Sequence, residues 1–226
     1  MRAENLPTYT VRRSNRARRL RIRVSFEGVE LVLPHRATLE QGRLFVASQL
    51  EWIERQLARM AALRDQRTPQ PADTLLLGGV LRPLILTVTA GTARVHCDAA
   101  GAVCVSAPDP HAALQRWLRR HAADVLSEHT RLRSVEMGRA PARLFFREQR
   151  SRWGSCSANG NISFHWRLIH APHDVLDYVV VHELAHLHEF NHSPRFWARV
   201  AAHCPDYLQH MQWLRSEGWR LRPPSG

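Results

Sequence analysis

The chain contains no lysine, few cysteines and no long apolar run. Four cysteines among 226 residues are too few for a scaffold held together by disulfide bonds. A membrane-spanning helix needs about 18 or more consecutive apolar residues, and no such stretch occurs. The first residues also lack the apolar segment of a secretory signal, so we expect a cytoplasmic protein.

Arginine supplies all 32 strongly basic side chains, which exceed the 20 acidic ones and give a formal net charge of +12. This balance is typical of a protein that binds a polyanion such as nucleic acid or nucleotide phosphates. A composition with arginine only and much alanine is equally typical of GC-rich coding DNA. The charge alone therefore assigns no function. Hydrophobic residues make up 44% of the chain, which is enough to build a packed core.

The hydrophobic pattern predicts an α+β fold, with a β-rich first half that contains one long helix and a helix-rich second half. In the first half we expect two strands within residues 8–34, a helix over 38–66 and short β segments over 74–106. In the second half we expect a helix over 110–137, strands near 142–146 and 162–169, and helices at about 173–189, 194–202 and 206–217. Two regions are therefore predicted, 1–107 and 108–226.

The segment His182-Glu183-Leu184-Ala185-His186 matches the pattern H-E-x-x-H within a helix that is apolar on most sides. Histidines four residues apart lie one turn apart on one helix face, where two imidazoles can bind the same metal ion. Glu183 projects about 100° away from His182 and can reach a water on that ion. The alternative is a pair of hydrogen-bonded core histidines beside a solvated glutamate.

A catalytic zinc site needs a third protein ligand and an open position. Glu189 shares the helix face of His182, but on a straight helix it lies about 10 Å farther along the axis. His192 comes just before Ser193-Pro194, which predicts the start of a new helix and therefore a turn between residues 189 and 193. We predict His192 as the third ligand. Glu189 is the alternative, better suited to accept an imidazole N–H.

The stretch before this helix predicts a hairpin, because Asn159-Gly160 separates residues 150–157 from an alternating strand. In that strand the polar residues alternate with apolar ones and are expected to line a substrate cleft, unless they form a solvated face. An arginine beside the cleft would stabilise an oxyanion. The predicted substrate-binding residues are Arg152, Ser163, His165 and Arg167.

Residues 150–197 carry the segments RWGSCS, VVHELAHL and NHSPRFW. This region resembles the core of the YgjP-like metal-dependent hydrolases, which are related to the SprT-like zinc metallopeptidases among the zincins. The resemblance implies a zincin-like domain over 108–226, with its active-site helix under a β-sheet. It also implies zinc held by His182, His186 and His192, and Glu183 as the catalytic acid and base. The family strand usually has Asn where this chain has His165, so no contact is carried over to that position.

Three functions follow as hypotheses. The first is a zinc metallopeptidase with one Zn²⁺ per chain, acting on a peptide or protein. The second is a metal-dependent phosphohydrolase acting on nucleotides, motivated by the arginine excess. The third is a nucleic-acid-associated protease, in which an arginine-rich N-terminal strand region contacts phosphates, unless it is an ordinary exposed strand face. The arginines of that region are Arg12, Arg13, Arg16, Arg18, Arg19, Arg21 and Arg23.

Overall fold

The computed structural model describes residues 6–15, 17–25, 28–65, 71–149 and 152–221. The architecture is α+β, as predicted, with three small sheets among the described residues. The chain divides into two compact units, with the boundary between residues 70 and 71. The predicted boundary between residues 107 and 108 falls inside the second unit. Arg16, one of the predicted phosphate-contacting arginines, lies outside the described residues.

The first unit combines a three-stranded sheet with two helices. Its elements are β1 (Tyr9–Ser14), β2 (Arg21–Ser25), β3 (Gly28–Pro34), α1 (Leu39–Ser48) and α2 (Leu50–Asp65). The strand order is β1-β3-β2, with β1 parallel and β2 antiparallel to the central β3. Strand β1 was not expected, because it is an edge strand that is mostly exposed and shows no apolar alternation.

The helix expected over residues 38–66 is two helices that meet at Gln49. The N-terminus of α1 is capped by reciprocal hydrogen bonds between Thr38 and Gln41. The backbone N–H of Gln49 donates to the Val46 carbonyl, which tightens the last turn of α1. Val46 and Ile53 are both fully buried in the core of this unit. The apolar pattern runs through Gln49 without a break, so the sequence did not indicate the interruption.

The second unit begins with a four-stranded sheet followed by the long helix α3. The strands are β4 (Thr74–Leu77), β5 (Val80–Val88), β6 (Arg94–Cys97) and β7 (Val103–Ala107), in the order β4-β5-β7-β6. Helix α3 spans Pro110–Met137, as predicted. Asp109 caps its N-terminus through a bond from the Ala112 N–H, and Gly138 ends it in the left-handed conformation with φ of 72°.

The third sheet stands beside the predicted metal-binding helix. Its strands are β8 (Arg143–Arg147), β9 (Gly154–Cys156) and β10 (Asn161–His165), in the order β8-β10-β9. Strands β9 and β10 form the antiparallel hairpin that Asn159-Gly160 predicted. Strand β10 ends four residues earlier than expected, because the Nδ1 atom of His165 accepts the Arg167 N–H and starts a 3₁₀ helix over Trp166–His170.

Three helices complete the unit: α4 (His173–Ala185), α5 (Pro194–His203) and α6 (Tyr207–Ser216). Helix α4 is buried on most sides, as its composition predicted. It ends at Ala185 instead of residue 189, because the Ala185 carbonyl accepts the backbone N–H groups of both His188 and Glu189. The Arg139 guanidinium donates to the Leu187 carbonyl and holds this turn. Among the described residues, none of the helices has the length and apolarity to cross a membrane.

His170 links the 3₁₀ helix to β4, because its Nδ1–H donates to the Leu76 carbonyl at 2.6 Å. Burial lowers the pKa of His170 from 6.5 to about 4. As the pH falls, His170 is protonated in the unfolded chain before it is protonated in the folded one. The folded state therefore loses stability as the pH falls from about 6.5 toward 4. We expect His170→Asn to reduce the loss of unfolding free energy between pH 7 and pH 5 by about 2 kcal/mol. Urea unfolding of the metal-free wild type and variant at both pH values measures this difference. Equal losses of unfolding free energy in the two proteins would show that His170 does not cause the pH dependence.

Candidate metal centre

Helix α4 places two histidines side by side at its C-terminal end. His182 lies in the last turn, and His186 is the C-cap residue. The four-residue spacing puts their rings on one face, with centroids 5.0 Å apart. Asp174 in the first turn stabilises the start of the helix, and the apolar residues around it bury the rest. Both imidazoles are therefore held on a rigid element.

The turn after α4 brings a third histidine back to this pair. Ser193 accepts the Phe196 N–H and caps α5, so the chain has reversed between residues 186 and 193. The Nε2 atom of His192 lies 3.2 Å from the Nε2 atom of His182. One ring nitrogen from each of His182, His186 and His192 lies within 4.8 Å of the others. Three imidazole nitrogens at this separation form a donor set that suits a divalent metal ion such as zinc.

The outer nitrogens of two rings face other groups. Nδ1 of His182 lies 3.5 Å from the Tyr178 hydroxyl, and Nδ1 of His186 lies 3.2 Å from the Glu189 carbonyl oxygen. A partner on the outer nitrogen fixes the ring orientation and leaves Nε2 for a metal. Glu189 thus contacts an imidazole through its backbone oxygen.

Aromatic side chains from α5 pack against all three imidazoles. Phe196 is fully buried, and its ring centroid lies 5.0, 4.5 and 4.7 Å from those of His182, His186 and His192. Trp197 contacts the rings of His182 and His192. Burial lowers the pKa of His182 to about 3 and also lowers that of His186. Both rings are therefore neutral, which is the form that binds a metal.

Glu183 lies next to the histidines in an environment that disfavours its charge. Its side chain is 5% exposed, and within the described part of the chain its Oε2 atom has no hydrogen-bond partner. Burial raises the pKa of Glu183 to about 8, and the positive charge of Arg152 opposes this shift. A buried carboxyl oxygen without a partner is costly to maintain and is typical of a functional site. The carboxyl is suited to take up and release a proton.

The backbone of β9 packs directly against the Glu183 carboxyl. A Cβ atom on Gly154 would lie 2.5 Å from Oε1 and 2.6 Å from Cγ of Glu183, which real side chains do not tolerate. Only glycine fits this position without a shift. Gly154 is not among the predicted site residues, although it lies in the segment RWGSCS that carries the family resemblance.

The four predicted substrate-binding residues do not share one environment, and two of them, Ser163 and His165, belong to β10. Strand β10 is central in its sheet, so its edges are paired with β8 and β9. The Ser163 hydroxyl accepts a hydrogen bond from Gln149 at 3.0 Å. His165 is 2% exposed, and its ring packs against Trp153. Ser163 and His165 therefore both contact residues that lie near their own sheet, Gln149 and Trp153.

The two predicted substrate-binding arginines, Arg152 and Arg167, have different partners. Arg167 forms an ion pair with Glu148 at 3.1 Å and covers the ring of Trp166. Arg152 is exposed and lies two residues before the start of β9, and its charge acts on Glu183. The positive charge of Arg152 thus links one of the four predicted substrate-binding residues to the Glu183 carboxyl.

Neutral imidazoles that converge beside a buried carboxyl can hold a metal and move a proton, which is the chemistry that a metal-dependent hydrolase uses. The sequence model of the YgjP-like metallopeptidase domain matches residues 18–217, which is most of the chain. The chain belongs to the YgjP-like family, as its resemblance predicted, and the family implies a metal cofactor and a peptide or protein substrate. No curated protein and no solved structure gives a significant match.

Proposed function

We propose that this protein is a zinc-dependent peptidase that binds one Zn²⁺ through His182, His186 and His192. Three converging imidazoles, two of which have their outer nitrogens turned toward other groups, suit this ion. With three protein ligands, a bound zinc ion would keep a further position for water or substrate, as a catalytic site requires. The observation that carries the proposal is the buried Glu183 carboxyl, which has an unpaired oxygen beside the three rings.

Glu183 performs the proton transfers in this proposal. Zinc, when bound, supplies the Lewis acidity that makes water a nucleophile near neutral pH. The Oε2 atom of Glu183 accepts the proton of the attacking water and then donates it to the nitrogen of the leaving amine. The Gly154 backbone holds the carboxyl from one side, and the guanidinium of Arg152 stabilises the negative charge that develops on the scissile carbonyl oxygen.

The peptide substrate lies along β9 in this proposal. In the described sheet β9 pairs only with β10, so its other edge is available to an extended chain. Pairing with a strand edge provides backbone hydrogen bonds without a sequence requirement. A peptide on this edge passes close to Glu183, because the Gly154 backbone touches that carboxyl.

The zinc-loaded protein tests the proposal against the nucleotide alternative. We expect it to cleave an unstructured protein such as casein, to lose this activity with a chelator, and to regain it with one equivalent of zinc per chain. Nucleoside triphosphates serve as the parallel substrates. Phosphate release that disappears in Glu183→Gln, with no peptide cleavage, would favour a phosphohydrolase. Peptide cleavage that survives complete zinc removal would contradict the proposal.

Gly154→Ala is expected to separate catalysis from metal binding. The added methyl must displace the Glu183 carboxyl, because a Cβ atom there would overlap Oε1. A shift of about 1 Å in a reacting group costs about 10²-fold in rate. We therefore predict a fall in kcat of about 10²-fold with unchanged zinc content, measured by peptide cleavage and elemental analysis. A variant with normal kcat would show that the carboxyl position is not critical.

A further inference from the structure

The outer face of the N-terminal sheet is rich in arginine. In the strand register Arg12 and Arg21 both lie beside Val32 of the central strand, and Arg23 lies beside Glu30. Because successive strand residues point to opposite faces, these side chains share the face opposite to the core residues Leu31 and Leu33. The sheet therefore has one apolar face and one basic face.

The basic face contains a groove of about 400 Å³, which we call the arginine groove. Arginines from β1, β2 and the segment between them surround it: Arg12, Arg18, Arg19, Arg21 and Arg23. Val32 lies in its lining and is only 4% exposed, although it is on the outer face. Arg12 and Arg21 flank it in the strand register, and arginine side chains can bury apolar surface under their aliphatic stems while their charged heads stay in solvent. A second depression of about 550 Å³ shares Arg18 and Arg19 and adds Arg36.

The groove keeps a surplus of positive charge. Glu30 pairs with Arg12 at 2.9 Å and lies 3.7 Å from Arg23. Within the described residues Arg18, Arg19 and Arg21 form no ion pair, and all three are exposed. The described residues that line the two depressions include no acidic side chain. At least three guanidinium groups thus remain available to an anionic partner.

We propose that the arginine groove binds the phosphate backbone of double-stranded nucleic acid without sequence preference. Guanidinium groups bind phosphate oxygens with two hydrogen bonds each, and a row of them fits a polymer with regularly spaced negative charges. The described lining of the groove contains no aromatic side chain, whereas proteins that hold single strands stack bases on aromatic rings. A membrane surface would require exposed apolar side chains among the basic ones, and Val32, the large apolar residue in the lining of the arginine groove, is buried. The exposed Leu44 lines the second depression and not the arginine groove. This proposal does not depend on the peptidase activity.

Fluorescence anisotropy of the full-length, zinc-loaded protein with a labelled mixed-sequence duplex tests the proposal. The groove variant is Arg18→Gln/Arg19→Gln/Arg21→Gln. The control variant, Arg59→Gln/Arg94→Gln/Arg143→Gln, loses the same charge from exposed arginines outside the groove. We expect the duplex affinity of the wild type to fall steeply between about 50 and 200 mM salt. The groove variant should bind at least about tenfold more weakly, and its slope of log affinity against log salt should be smaller by about 2 to 3.

The control variant should bind within about threefold of the wild type, since the remaining surface charge acts only at long range. Equal losses in the two variants, or no duplex binding by the wild type at about 50 mM salt, would overturn the proposal. Competition by a single strand or by phosphatidylserine vesicles that matches the duplex at equal phosphate would also overturn it. Circular dichroism and peptide cleavage should be unchanged in the groove variant, so failure here is distinguishable from failure of the peptidase proposal.

Discussion

Replacing Glu183 with glutamine should lower kcat for peptide cleavage by about 10²- to 10⁴-fold, which is the usual contribution of a positioned acid or base. Glutamine keeps the size of the side chain but has no carboxylate oxygen that can take up the proton of the attacking water. The unpaired state of that oxygen in a buried site leaves it free to contact a water. Zinc content should stay at one ion per chain, because the carboxyl is not one of the three converging ligands.

A matched exposed glutamate controls for the loss of one negative charge. Glu128 on α3 is more than half exposed and pairs only with Arg131 among the described residues, so Glu128→Gln should keep normal kcat. Peptide cleavage assays and elemental analysis of the three proteins provide the readouts. Normal turnover in Glu183→Gln would assign the base to another group. A loss of zinc in that variant would instead make the carboxylate a metal ligand.

His192→Ala should remove most of the bound zinc. Two imidazoles on one helix turn cannot complete a catalytic site that needs three protein ligands. The loss of affinity should exceed the 10- to 100-fold that is usual when only an outer partner of a ligand is removed. Zinc should also raise the melting temperature of the wild type and not that of the variant, since a ligand stabilises only a fold that binds it. Elemental analysis and thermal unfolding with and without zinc measure both effects.

His96→Ala is the control for this experiment, because His96 is an exposed histidine in β6 and is not part of the converging cluster. It should leave the zinc content and the zinc-dependent stabilisation unchanged. An unchanged zinc content in His192→Ala would indicate that Glu189, whose backbone carbonyl already contacts His186, is the third ligand. The double variant His192→Ala/Glu189→Ala would then lose the metal.

Local spacing made the α4 part of the site predictable. Two histidines four residues apart must share a helix face, and the Ser-Pro pair at residues 193 and 194 marks a new helix. A turn before it was therefore expected, and α5 begins where that pair predicted. The exact end of α4 was not predictable, because the double acceptance at the Ala185 carbonyl and the bond from Arg139 to Leu187 arise only in the folded chain.

Long-range contacts decided the remaining features of the site. Gly154 and Glu183 are far apart in the chain, and no periodicity of the sequence relates them, yet the glycine backbone touches the carboxyl. Similarly, the alternating pattern of β10 did not indicate that this strand lies between β8 and β9, which the sheet order shows. Alternation reports which side chains share a face but not which strands become neighbours.

The amino-acid sequence by itself determined the α+β class and the HExxH helix, because these depend on composition and on spacings within one or two helical turns. Its segments RWGSCS, VVHELAHL and NHSPRFW carried the family resemblance, and the Ser193-Pro194 pair indicated the turn that makes His192 a candidate ligand. Tertiary structure alone decided that β9 covers Glu183, that Phe196 packs against all three imidazoles, and that the basic face of the first sheet forms a groove. These features arise where separate elements meet, and the packing of side chains between elements is not encoded in the period of any one of them.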